Sequence, residues 1–215
     1  MAVHFLSYFL DASTPAYGGE QGCVQLESIR QISLGDNSNN SRISFPMHIG
    51  SHIDFPFHFK SNGKKSDDYP ASFWVFNEVA FITCNIEELP WKLDNISEDT
   101  ELLLFKTGFG QYRHEEKYWK EQPVIPSSYA SMFKKKLPKL RVFGFDMISL
   151  TSKVDRAEGK KAHEAFLIDN DILILEDLNL VPLHQKPETV IIAPLLVRNV
   201  DGTPCSVFAF TNEEF

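Results

Sequence analysis

Residues 45–59 read Phe-Pro-Met-His-Ile-Gly-Ser-His-Ile-Asp-Phe-Pro-Phe-His-Phe, and no other stretch restricts this chain as strongly. They hold three of its seven histidines and an aspartate, at His48, His52, Asp54 and His58. A helix is excluded: Pro46 and Pro56 bracket the run, Gly50 interrupts it, and proline disfavours helix for itself and for the residue before it. In an extended chain successive side chains alternate sides. The four even-numbered polar groups therefore face one way, and Ile53, Phe55, Phe57 and Phe59 the other.

Distance sharpens the reading. On a straight strand His48 and His52 would stand about 13 Å apart at roughly 3.3 Å per residue. Ligands of one ion, each about 2.0–2.2 Å from it, cannot be so far apart. If both bind one ion the chain must fold back between them, and Gly50 is the residue able to do so without a Cβ penalty. His52 and Asp54 need no such bend. The run is read as a kinked metal-binding strand, with His58 as a candidate acid/base. The zincin signature is set aside, because it needs a helix and a Glu after its first His, whereas position 49 is Ile.

A chain of 215 residues can bury one substantial core. Hydrophobic residues at 43% and charged ones at 23% are ordinary for a soluble globular protein. A net charge of −8 argues against a nucleic-acid partner. No apolar stretch reaches membrane-spanning length, and the short apolar run near the start lacks the basic residues of a signal peptide. Cys23, Cys84 and Cys205 form no C-x-x-C pair and read as reduced thiols of a cytoplasmic protein. Eighteen phenylalanines favour an aromatic-lined pocket or interface.

Along the chain, residues 3–10 and 23–34 read as strands, with a loop at 11–22 that carries Tyr17 and the Gly18-Gly19 pair. Residues 61–70 form a polar excursion shielding the site. Residues 79–85, 101–107, 141–146, 172–175, 190–197 and 206–210 have strand character, and Asp201-Gly202 looks like a hairpin turn. Residues 112–121 and 127–137 carry helical patterns, the second with Ser127 as N-cap, and a short helix starts at Glu158. Asp146 ends a buried strand, the place where sites gather in open α/β sheets. Phe73 and Trp74 fit either a pocket wall or the core, and Tyr17 either a substrate contact or a plain surface loop. Alternating strands and helices point to one α/β domain over residues 1–215.

The run His48-Ile-Gly-Ser-His52-Ile-Asp54-Phe-Pro56-Phe-His58-Phe59 resembles the H-x-G-T-H-x-D-x-P-x-H-F signature of the metal-dependent cyclase family, which includes kynurenine formamidases and isatin hydrolases. Residues 103–108 are similar to that family's "LLIRTG" strand, residues 144–149 to its "GIDTPS" segment, and His163 with residues 173–178 to its His…ILENL stretch. Two positions depart: Ser51 keeps the hydroxyl of the usual threonine, and Phe55 replaces a small residue with a bulky ring. The resemblance implies a cyclase-like, swivelling β/β/α-type fold, with a mixed sheet or small barrel-like core and flanking helices. It also implies two divalent ions, Zn²⁺ or Mn²⁺. His48, His52 and Asp54 would hold one, and Asp54 would bridge to a second on His163 and Glu176.

With that site, water ionised near neutral pH attacks an amide carbonyl. His58 moves the proton to the leaving nitrogen, work to which an imidazole is suited. The implied activity is an arylformamidase acting on N-formylkynurenine. A cyclic amide such as isatin is the near alternative, and a non-catalytic metal-binding protein the distant one. A Ser/His/Asp hydrolase lacks its G-x-S-x-G elbow here. Tyr17, Phe55, Phe73 and Trp74 are the candidate substrate contacts. The resemblance further implies a homodimer or larger homo-oligomer whose neighbouring subunit helps close the pocket.

Overall fold

The computed structural model describes residues 1–212. Its strands are β1 (Ala2–Phe5), β2 (Gln25–Arg30), β3 (Asn40–Ser44), β4 (His52–Asp54), β5 (Val75–Phe76), β6 (Val79–Thr83), β7 (Leu102–Lys106), β8 (Val142–Phe145), β9 (Leu173–Glu176), β10 (Thr189–Pro194) and β11 (Gly202–Thr211). The helices are α1 (Leu89–Lys92), α2 (Lys117–Lys120), α3 (Ser128–Lys136) and α4 (Arg156–His163). Strands β6 to β9 are parallel neighbours, as short helical crossovers between them require. Their apolar runs are buried on both faces, Leu102, Leu103, Leu104 and Phe105 completely.

From β9 the sheet turns antiparallel through β4, β11, β10 and β5, with β1 on the far half of β11. The two ends of this path, β5 and β6, are separated in sequence by residues 77–78 only. The sheet accordingly curls into a nearly closed, barrel-like mixed sheet with a few helices around it, the fold class expected of the sequence. Seven phenylalanines among the described residues are wholly buried; Phe143 stacks on Phe166 and Phe133 meets both edge-on, with ring centroids 5.0–5.6 Å apart. Much of the phenylalanine surplus thus serves packing. No helix among the described residues is long and apolar enough to cross a membrane.

Several local expectations change. Ser127 has helical dihedrals and its side chain caps nothing; its N–H instead donates to Glu158 Oε1 at 2.7 Å. Helix α4 starts two residues before Glu158, because Asp155 accepts from the Glu158 N–H at 3.0 Å. The helical pattern at 112–121 resolves into a 3₁₀ turn at Phe109–Tyr112 and the short α2. Asp146 is not on the lining of the cavity beside His58: its carboxylate accepts from Thr107 and Gly108 N–H groups and from the Thr107 hydroxyl, tying the ends of β7 and β8 together. Among the described residues strands β2 and β3 pair only with each other, and every residue of both is exposed.

Candidate metal centre

Strand β4 lies between β9 and β11, and register decides what meets it. His52 stands opposite Glu176, and Asp54 opposite Gly202. Pairing β4 with β9 thereby brings a carboxylate 124 positions away beside the metal strand. Ahead of β4 the chain reverses at Gly50, whose φ is +59°, a conformation glycine adopts without strain. That reversal brings the His48 and His52 rings to a centroid separation of 5.3 Å. Gly202 is as constrained, since a Cβ there would collide with the His48 ring.

His163, the last residue of α4, aims at the same place. Asp54 divides its oxygens. Oδ1 lies 2.8 Å from His48 Nδ1 and 3.4 Å from His52 Nε2, while Oδ2 lies 3.5 Å from His163 Nε2. Glu176 divides likewise, with Oε2 3.3 Å from His52 Nε2 and Oε1 3.5 Å from His163 Nε2. Ligands about 2.1 Å from one ion, spread tetrahedrally, stand about 3.4 Å from each other. The His52–Asp54, His163–Asp54 and His163–Glu176 spacings of 3.4–3.5 Å match that edge and, like the 3.3 Å between His52 and Glu176, are long for hydrogen bonds.

The remaining ring nitrogens are occupied as ligand histidines require. His52 Nδ1 bonds the Gly50 carbonyl at 2.8 Å and His163 Nδ1 the Gly159 carbonyl at 2.9 Å, which leaves each Nε2 aimed at the carboxylates. The Leu150 N–H and the Ser149 hydroxyl donate to Glu176 Oε1 at 2.5 and 3.3 Å. Donor atoms of His52, Asp54 and Glu176 lie within 4.8 Å of each other, as do those of His48, Asp54 and His58. The residues present fit a divalent metal ion, and Asp54 belongs to both groups.

Charge supports the same fit. Burial alone would lower the histidines, but the Glu176 and Asp54 carboxylates outweigh it and raise His52 to about 9. The same two carboxylates raise His163 to about 10. Burial would raise Asp54, yet the neighbouring His163, His48 and His52 imidazoles hold it well below the usual carboxylate range. Without metal the buried carboxylates are neutralised by protonated imidazoles, and metal must displace those protons. Metal uptake is therefore expected to release protons at pH 7 and to tighten as pH rises towards 9–10. Calorimetry in buffers of different ionisation enthalpy measures the release. The two imidazoles stabilise the metal-free fold fully below about pH 6.5, and that contribution is lost as pH rises through about 9–10.

Above the cluster lies a cavity of about 270 Å³, lined by His58, Phe59, Ile49, Ile148, Pro15 and Tyr17 as well as the cluster itself. Tyr17, read as either a substrate contact or part of a surface loop, is on the lining and exposed. Phe55, Phe73 and Trp74 are not in the lining. Phe55 is wholly buried behind β4, 5.4 Å from Tyr69 and 6.3 Å from Trp74, and Phe73 stacks edge-on against Trp74 at 4.9 Å. Alternation along β4 sends position 55 to the core, so its bulk sits on the face away from the site.

Phe59 is corrected in the opposite sense. A 3₁₀ turn over Pro56–His58 ends the alternation and rotates Phe59 onto His163, 4.8 Å away and nearly parallel. Asp201, read as part of a turn, closes the connection before β11 and puts its carboxylate 2.9 Å from His48 Nε2 and 2.8 Å from His58 Nδ1. No local pattern marks Asp201 as part of a site; the antiparallel pairing of β11 with β4 brings it there. Asp177, also on the lining, is buried with a bidentate Arg113 and the Tyr118 hydroxyl.

Comparison with known proteins follows the same lines. The Cyclase family model matches residues 5–152. Two kynurenine formamidases of Bacillus cereus are 29% and 30% identical over 168 and 169 residues, 77% of this chain and 77% of each relative. Isatin hydrolase A from Labrenzia aggregata superposes with a TM-score of 0.81 at 20% identity, covering 99% of this chain and 94% of that one. A potential metal-dependent hydrolase with cyclase activity gives a TM-score of 0.75 at 21% identity, covering 99% of both chains. With the signature stretch inside the matched residues and the fold shared over nearly the whole length, this chain belongs to the cyclase family.

Proposed function

We propose that this chain is a metal-dependent hydrolase of a carbon–nitrogen bond whose substrate is N-formylkynurenine, cleaved to kynurenine and formate. The observation that carries the reading is the division of Asp54 between two histidine groups beside Glu176, under a cavity that holds His58. His48, His52 and Asp54 would hold one Zn²⁺ or Mn²⁺, and His163, Glu176 and the other Asp54 oxygen a second. Bound there, the ions supply Lewis acidity, ionising water near neutral pH and polarising the carbonyl. His58 accepts the proton of the attacking water and returns it to the leaving nitrogen. Ile49, Phe59 and Tyr17 offer apolar and aromatic walls to an aryl ring.

The kynurenine formamidase relatives support the formamide, while the superposition on isatin hydrolase supports a cyclic amide as second reading. Metal-loaded protein assayed for formate release and for isatin ring opening separates the two. Turnover of neither, with metal bound, overturns the hydrolase. His58→Ala is expected to lower kcat by about 10²–10⁴-fold with metal content unchanged, the usual worth of a general acid/base.

We also infer that the chain works as a homodimer or larger homo-oligomer in a reducing, cytoplasmic setting. Three free cysteines support the compartment. The β2–β3 ribbon supports the assembly: a lone two-stranded ribbon is marginal in water, and this one exposes Leu26, opposite Ile43, as well as Ile32 and Leu34. Light scattering after size exclusion is expected to give at least twice the chain mass. Leu26→Asp with Ile43→Asp should reduce it to one.

A further inference from the structure

Asp201 stands just outside the cavity lining, beside two of the imidazoles that line it. That carboxylate is no part of the five-residue cluster, yet one of its oxygens, Oδ2, takes hydrogen bonds from two rings at once, His58 Nδ1 at 2.8 Å and His48 Nε2 at 2.9 Å. The two imidazoles hang from it side by side, centroids 4.1 Å apart and inclined by 31°.

The backbone around Asp201 is tied to the metal strand. Its carbonyl accepts the Phe55 N–H at 2.9 Å, and the next residue, Gly202, pairs with Asp54. The carboxylate is therefore held in the frame of β4 rather than on a free loop. His58 needs such a holder. His52 and His163 are buried and anchored by backbone carbonyls, whereas the His58 side chain is 30% exposed and ends a 3₁₀ turn. Among the hydrogen bonds of the described residues, Asp201 is the partner that its ring nitrogen finds.

We propose that Asp201 is the positioning residue for His58: by accepting the Nδ1–H it selects one tautomer and one ring orientation, leaving Nε2 as the nitrogen that exchanges a proton in the cavity. The same oxygen on His48 Nε2 joins the orientation of the proton carrier to that of a metal-cluster histidine, so the two rings are aligned to each other. The inference rests on the hydrolase reading for its catalytic consequence, but the tautomer it assigns does not depend on any substrate.

The test uses the full chain with Asp201→Ala and Asp201→Asn. Long-range ¹⁵N–¹H spectra of the metal-free wild type are expected to show His58 as the Nδ1–H tautomer. Asp201→Ala should give a mixture of tautomers, and Asp201→Asn, whose amide oxygen still accepts, should stay close to wild type. In metal-loaded protein, Asp201→Ala should keep both metal equivalents, lower kcat about 10–100-fold with KM little changed, and add nothing to the loss caused by His58→Ala. Asp201→Asn should recover most of the rate.

Three results would overturn the proposal: an unchanged His58 tautomer in Asp201→Ala, losses that multiply in the double variant, or a rate that falls only in proportion to lost metal. The last would make Asp201 a support for His48 alone. If wild-type protein hydrolyses no amide, the hydrolase reading fails while the spectra still decide the positioning role. Gly202, Asp201 and the hairpin can be checked for intact folding by thermal unfolding of Asp201→Asn.

Discussion

Asp54→Asn is expected to empty both ion positions and to lower turnover by at least about 10³-fold, several kcal/mol of lost transition-state stabilisation. The substitution preserves size and one acceptor oxygen, so the argument is electrostatic rather than steric. Asp54 is 1% exposed, and its two oxygens reach different histidines, Oδ1 to His48 and His52, Oδ2 to His163. An asparagine keeps an oxygen for one group and turns an NH₂ towards the other, where it repels a cation. Glu176 remains, but a single carboxylate cannot balance two divalent charges in a buried site. Elemental analysis after dialysis and rates in saturating metal read the two effects separately. Retention of two equivalents of metal with near-normal turnover would refute the bridging role.

Arg113→Ala should be the most destabilising single change outside the hydrophobic core, by about 3–5 kcal/mol, the cost of leaving a buried charge without its partner. Arg113 grips Asp177 with Nε at 3.0 Å and Nη2 at 2.8 Å and lies 3.9 Å over the Tyr8 ring, with both ion-pair side chains almost wholly buried. Asp177 itself has φ +50°, an unusual conformation for a residue other than glycine. Its carbonyl takes the Ser51 hydroxyl at 2.5 Å, and its carboxylate also takes the Tyr118 hydroxyl at 2.6 Å. Because Asp177 follows Glu176, freeing it should also loosen Glu176, the proposed metal ligand. For a chain of this size the melting temperature should fall by roughly 10 °C, with weaker metal binding. Arg113→Lys should restore only part of both, since an ammonium cannot reproduce the two-pronged contact. A wild-type melting temperature in Arg113→Ala would refute the account.

Much of the site was legible in the local sequence. Alternation assigned His52 and Asp54 to one face and Phe55 to the other, and Gly50, read as the place for a reversal if His48 and His52 share an ion, has the positive φ of one. The same alternation, carried too far, misplaced Phe59, because a 3₁₀ turn of about three residues ends the two-residue period after Pro56. Phe73 and Trp74 stood undecided between pocket and core, and burial against Tyr69 and Phe55 puts them in the core. Resemblance to a family, rather than any local pattern, singled out His163 and Glu176. Nothing in either pointed to Asp201.

What the sequence alone determined is the chemistry of one short segment: which side chains share a face, where the chain must bend, and that proline and glycine forbid a helix there. These follow from steric rules acting over a few neighbouring residues. The tertiary structure decided which distant groups complete that segment. His52 meets Glu176, and Asp201 reaches His48 and His58, because β4 is zipped antiparallel between β9 and β11 in one register. A shift of one residue would turn those side chains to the opposite face, and that register is set by the packing of the whole curled sheet.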